Sequence, residues 1–109
     1  MQKFKLEDFI RGWFIGDFTP SIFRTPNFEV GVLHHHKGEL WPAHYQKVAT
    51  EFNVLLSGSL SINNEIILRG EIFIIEPLEI AVPIFHEDCK VLCIKVPSLP
   101  NDKFEVYKS

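Results

Sequence analysis

Gly38-Glu-Leu-Trp41-Pro-Ala-His44-Tyr-Gln46-Lys-Val-Ala-Thr-Glu51-Phe-Asn53-Val-Leu-Leu-Ser-Gly58 sets a histidine, a glutamine and a glutamate at fixed intervals between two glycines. His44 and Gln46 are two apart, so on a strand both side chains point to the same side. Glu51, Asn53 and Leu55 share one face of the next extended segment, and Phe52, Val54 and Leu56 share the other. Both faces of that segment are largely apolar, the pattern of a strand lying between an interior and a second packed layer. Ser57-Gly58 supplies a turn. An imidazole and a carboxylate on facing strands would form a compact polar site inside an apolar shell.

Strand signals continue on both sides of this stretch. Phe28 to His36 alternates as a strand does, and the face shared by Phe28, Val30, Val32, His34 and His36 is expected to point inward. Ser59–Ile62 meets Glu65–Leu68 across Asn63-Asn64, a type I′ hairpin pair because both asparagines tolerate positive φ. Arg69-Gly70-Glu71 turns the chain into Ile72–Ile75, and Pro77 and Pro83 bracket a short apolar strand. His86-Glu87-Asp88 turns it again into Lys90–Val96, and Phe104–Tyr107 offers a last short strand. Short strands separated by turn signals predict an all-β, antiparallel β-barrel or jelly roll. Only Leu6 to Arg11 allows a turn of helix. The first 27 residues are rich in aromatics and broken by glycine and proline, as in Trp13-Phe-Ile-Gly16 and Phe18-Thr-Pro20. Such a segment must cover something, either one end of the barrel or a dimer interface. The expected organisation is therefore a capping or dimerisation segment at 1–27 and a barrel at 28–109, together one domain.

Bulk properties exclude several functions. A chain of 109 residues makes one domain with a modest core. Ten phenylalanines predict a core filled by large rings. A formal charge of −3 and the lack of a basic run argue against nucleic acid or an anionic membrane as partner. No apolar run approaches the roughly 20 residues of a membrane helix, and no signal-peptide core is present, so a cytoplasmic protein is expected. Cys89 and Cys93, four apart on a strand, would stand about 13 Å from each other. A disulfide needs about 4.4–6.8 Å, so two reduced, buried thiols are expected.

The interval pattern from Gly38 to Gly58 resembles the first motif of the cupin family. There a glycine precedes a His-x-His pair by six residues, followed by a glutamate and a closing glycine. Every interval fits, but the second histidine is Gln46. The family's second motif is present only in outline. Gly70 starts it, Glu76 stands at the proline position with Pro77 one place late, Leu78 replaces a glycine, and Ala81 or Val82 replaces the last histidine. Ile75-Glu-Pro77 and Lys95-Val-Pro-Ser98 are similar to a group of small single-domain bacterial and phage cupins, parts of which are connected with sugar or surface-polysaccharide metabolism. The resemblance implies a cupin barrel with a degenerate metal site and a neighbourhood in carbohydrate chemistry.

Three readings of the candidate site follow. In the first, His44, Gln46 and Glu51 hold a divalent metal weakly, because an amide oxygen is a poorer donor than an imidazole, and His34 or His36 is recruited to help. That reading gives a metal-dependent isomerase or dioxygenase. In the second, His44 and Glu51 perform metal-free acid–base catalysis on a sugar-derived substrate, the carboxylate raising the imidazole's basicity. Trp41 then stacks on a sugar or base face. In the third, the same residues with Asn53, His34 and His36 bind a small polar ligand without catalysis. The preferred expectation is a homodimer with a pocket for a small polar, sugar-derived ligand and weak or no metal.

Overall fold

A computed structural model describes residues 1–106. Two single turns of 3-10 helix, Leu6–Asp8 and Ile10–Gly12, lead into β1 (Trp13–Ile15) and β2 (Glu29–His35). There follow β3 (His44–Tyr45), β4 (Thr50–Ser57), β5 (Ser59–Ile62), β6 (Glu65–Leu68) and β7 (Ile72–Ile75). The described chain ends with β8 (Pro83–Phe85), β9 (Cys89–Val96) and β10 (Phe104–Glu105). Every pairing between these strands is antiparallel, in a five-stranded sheet β1-β2-β9-β4-β7, a three-stranded sheet β6-β5-β8 and a β10-β3 ribbon. This is the antiparallel jelly roll expected from the strand spacing. Among the described residues, however, the hydrogen bonding does not run unbroken around the molecule as in a closed barrel.

The break comes where β4 hands over to β5. Gly58 has φ +88°, and a Cβ there would lie 2.3 Å from the Asp88 carbonyl oxygen. Only glycine lets the chain turn this corner and change sheets. The next hairpin closes through Asn63 and Asn64, at φ 52° and 67°, both in the left-handed region that a type I′ turn requires.

Two expectations about strands need correction. The segment between Pro77 and Pro83 is not a strand. Leu78 sits in a turn at φ 71° and donates its N–H to the Gln46 carbonyl at 2.6 Å, and β8 begins only at Pro83. The Asn63 side chain replaces a strand partner there, donating to the Ile80 carbonyl and accepting from the Val82 N–H, each at 2.9 Å. On β2, the inward residues are Glu29, Gly31, Leu33 and His35, not Phe28, Val30, Val32, His34 and His36. The expected face was chosen because it is apolar. Register explains that apolarity: Val30, Ile94, Phe52 and Ile74 line up on the outside of the five-stranded sheet, with Val32, Leu92, Val54 and Ile72 beside them. Among the described residues no second layer covers this face, and Phe52 and Leu56 are 38% and 41% exposed.

The buried core is compact and mostly aliphatic: Leu55, Leu60, Ile67, Phe85, Cys89 and Val91. Fully burying Leu55 or Leu60 contributes about 1.5–3 kcal/mol each. Phe85 is the one phenylalanine of the ten that is buried, so the ring-filled core expected from composition is absent. Most of the other rings lie on outer faces or in the N-terminal segment. Cys89 and Cys93 are free and buried, as their strand spacing required. Phe104 and Glu105 form the last strand, and Tyr107 lies outside the described residues. Among the described residues, no helix is long and apolar enough to cross a membrane.

Candidate functional site

Strand register divides the interior into an apolar half and a polar half. Across the five-stranded sheet, Leu33, Val91 and Leu55 form one inward row, and Gly31, Cys93, Asn53 and Phe73 form the next. The third inward row runs Glu29, Lys95, Glu51, Ile75, which places charged side chains inside. These rows line a cavity of about 1030 Å³, closed opposite by Leu60, Ile62 and Phe85 of the three-stranded sheet. Residues 5–7 and 9–13 of the N-terminal segment line it as well, and Trp13 lies over Gly31, where a Cβ would meet the indole at 2.7 Å.

His44, Gln46, Glu51, Asn53 and Trp41 all line this one cavity. Gln46 is 2% exposed and donates from Nε2 to Glu51 Oε2 at 3.0 Å. Its Oε1 is buried and has no hydrogen-bond partner among the described residues. Rotating the amide would only set its oxygen against a carboxylate, so the acceptor stays unmatched. The second oxygen of Glu51 accepts from the Cys93 thiol at 3.4 Å. Burial, reinforced by the Glu51 charge, pushes the Cys93 thiol well above its ordinary range. This group is a hydrogen-bond donor and not a nucleophile.

His44 pairs with Ala81 through a two-way backbone bridge, so Ala81, one of the two positions where the resemblance puts a histidine, stands beside it. His44 Nδ1 lies 3.1 Å from the Pro42 carbonyl, which fixes the proton on Nδ1 and leaves Nε2 with its lone pair. Desolvation lowers the His44 pKa, and the upward pulls of the Pro42 carbonyl and Glu51 do not overcome it. Glu51 pulls the imidazole toward higher basicity, as expected, but burial outweighs that pull and the net shift is downward.

Trp41 is held rather than free. Its Nε1 donates to Glu39, which also contacts His35 Nδ1 at 2.6 Å and takes the His36 backbone N–H at 3.3 Å. His35 in turn stacks on Phe85, with ring centroids 4.3 Å apart. The inward imidazole of β2 is therefore His35, while His34 is exposed at the cavity margin and His36 is exposed beyond the strand end.

Several pocket residues escaped sequence reasoning. Lys95 and Glu29 read as ordinary strand-end charges, and only register turns them inward. Glu29 is buried, which raises its pKa, and Lys95 and the Ser98 hydroxyl at 3.1 Å pull the other way. Lys103 precedes β10. Its position follows from Asp102, whose carboxylate accepts the backbone N–H groups of Lys47, Val48 and Ala49 at 2.8–3.0 Å. That clasp brings the Lys103 ammonium to 3.6 Å over the Trp41 ring.

The donor set fits a divalent metal poorly. It offers one imidazole, one amide oxygen and a carboxylate whose two oxygens already accept hydrogen bonds. Ala81 supplies no ligand, and Lys95 and Lys103 add positive charge that acts on His44. Among the described residues, no group of three or more His, Cys, Asp or Glu side chains is placed to hold an ion.

No protein-family model matches the chain, and no curated protein does. Solved structures do. A protein of Klebsiella pneumoniae with a double-stranded β-helix domain superimposes with a TM-score of 0.70 at 17% identity, over 98% of this chain and 93% of that one. The DMSP lyase DddQ of Ruegeria pomeroyi gives 0.67 at 14% identity, over 92% of this chain and 54% of that one. A sugar phosphate isomerase of the cupin superfamily from Silicibacter pomeroyi gives 0.59 at 13% identity, over 75% and 58%. At these identities the likeness establishes the fold, which is that of the cupins.

Proposed function

We propose that this chain binds a small polar, sugar-derived ligand in the cavity, with His44, Gln46, Glu51 and Asn53 as its polar contacts and without a tightly held metal. The observation that carries this reading is the buried, unpartnered Gln46 Oε1 beside Glu51. A buried acceptor without a donor costs roughly 1–3 kcal/mol, and a ligand hydroxyl is the natural donor to relieve it. The neutral His44 Nε2 and the Glu51 carboxylate supply an acceptor and a charge on the same wall, suited to moving a proton on a hydroxylated substrate. The solved neighbours named as a lyase and a sugar phosphate isomerase support an acid–base reaction on a small molecule. We further propose that the chain works as a homodimer.

The test is titration of isotopically labelled protein with a panel of neutral sugars, followed by assay of nucleotide-sugar turnover in chelated buffer. Shifts confined to His44, Gln46, Glu51 and Asn53, with turnover lost in His44→Ala and Glu51→Gln, are the expected result. Binding that survives both Gln46→Leu and Glu51→Gln refutes the proposal. Stoichiometric iron, nickel, manganese or zinc in protein purified without added metal, lost in His44→Ala, would favour a metal enzyme instead.

A further inference from the structure

We infer that the ligand is an anion whose carboxylate or phosphate sits between Lys95 and Lys103; this rests on the cavity being the ligand pocket. Both lysines line the cavity, one from the centre of the five-stranded sheet and one from the segment entering β10. A half-buried ammonium needs a counter-charge or hydrogen-bond acceptors. Among the described residues neither lysine has an ion pair or a side-chain hydrogen bond, and each lies instead on an indole face. Lys95 Nζ is 5.1 Å from the Trp13 ring, and Lys103 Nζ is 3.6 Å from the Trp41 ring.

Glu29 and Glu51 flank Lys95 in register, and Glu29 feels its charge, yet among the described residues neither forms an ion pair with it. Glu51 is engaged by Gln46 and Cys93, and Glu29 by Ser98. The donors of Lys95 are left over for something else. Lys103 is exposed along much of its length, but its ammonium lies against Trp41. Its pKa is lowered to about 8, first by desolvation and then by Lys95 and Arg11, with Glu51 and Glu105 opposing. Lys103 therefore feels the positive charges of Lys95 and Arg11, and Arg11 lines the same cavity from the N-terminal segment. An anion placed among them relieves that repulsion. Gln46 Oε1 then accepts from a hydroxyl of the same molecule. The ligand so described is a hydroxylated acid or a phosphorylated sugar.

Calorimetric titration with glucose, glucuronate, glucose 6-phosphate and inorganic phosphate tests this. At least one charged sugar should bind about tenfold or more tighter than glucose, the scale of charge-assisted hydrogen bonds over neutral ones. Whether glucuronate or glucose 6-phosphate does so separates carboxylate from phosphate. Lys103→Met and Lys95→Met should bring that affinity down to the level that glucose shows with the wild type. The rim position of Lys103 keeps the test readable if Lys95→Met fails to fold. Affinity for the charged sugar should fall as pH rises through about 8 in the wild type, and hold in Lys103→Arg. Equal binding of glucose and the charged sugars, or indifference to Lys103→Met, overturns the anion and leaves the pocket reading standing. Binding that ignores Gln46→Leu and Glu51→Gln but is lost in Lys103→Met sinks the pocket reading alone. A Lys103 titration unmoved by inorganic phosphate, with none of the four probes bound, overturns the anion assignment.

Discussion

Replacing Gln46 by leucine separates what the pocket does for the fold from what it does for a ligand. The amide is 2% exposed and plays two opposed parts. Its Nε2 donates to the Glu51 carboxylate, a charge-assisted bond that contributes about 1.5–3 kcal/mol. Its Oε1 is buried without a donor, which costs about 1–3 kcal/mol. Leucine fills a similar volume and removes both at once. The gain and the loss nearly cancel, so unfolding free energy should stay within about 2 kcal/mol of wild type. Ligand binding has no such cancellation. Loss of the hydrogen bond to Oε1 should cost about 1–3 kcal/mol, a factor of about 5 to 150 in affinity. Urea denaturation and calorimetry on the same preparations measure the two quantities. Two results would refute the reasoning: a variant destabilised by more than about 4 kcal/mol, or one that keeps full affinity. The first would show the amide to be a structural strut, and the second would show that Oε1 does not meet the ligand.

The other expectations span stability, pH and metal. The folded-state pKa of Glu29 is raised, so its favourable contribution is complete below the unfolded value and is lost as pH rises through the folded one. Glu29→Gln, which mimics the protonated acid and keeps an acceptor for Ser98, should therefore melt above wild type at pH 8 and with it at pH 4; a lower melting point at pH 8 contradicts this. His44 is shifted the opposite way, and protonation is disfavoured in the fold, so stability should fall as pH drops below about 6.5. Histidine NMR should find the Nδ1–H tautomer with a midpoint under that value, and a midpoint above it refutes the assignment. Asn63→Ala should cost about 1–3 kcal/mol in thermal denaturation, because the side chain joins the hairpin to Ile80 and Val82; a neutral effect would mean that the backbone alone holds the turn. Gln46→His combined with Ala81→His should bind nickel more tightly than wild type in calorimetry. Equal binding would place these positions too far apart to share an ion.

Interval alone determined a good deal. Short strands between turn signals predicted a barrel or jelly roll, and the resemblance of Gly38–Gly58 to the cupin motif implied the same fold, while the period of two put His44 with Gln46 and set Glu51, Asn53 and Leu55 on one face. Two consecutive asparagines foretold the hairpin, because few other residues accept positive φ twice in a row. These are local facts, encoded in the period of two along a strand and in the steric limits of single residues.

What only the tertiary structure decided was which face of β2 and β9 is the inside. Both faces of these strands carry apolar residues, so hydrophobicity cannot choose between them, and parity is set by partners far away in sequence. Glu29, Lys95 and His35 are turned inward by register with β4 and by the Trp13 indole over Gly31. Lys103 reaches the pocket only because Asp102 clasps the loop at residues 47–49, more than fifty positions away. The same long-range placement buries Gln46 Oε1 and lets desolvation outweigh Glu51 at His44. Desolvation depends on everything packed around a group, and no spacing along a strand encodes it.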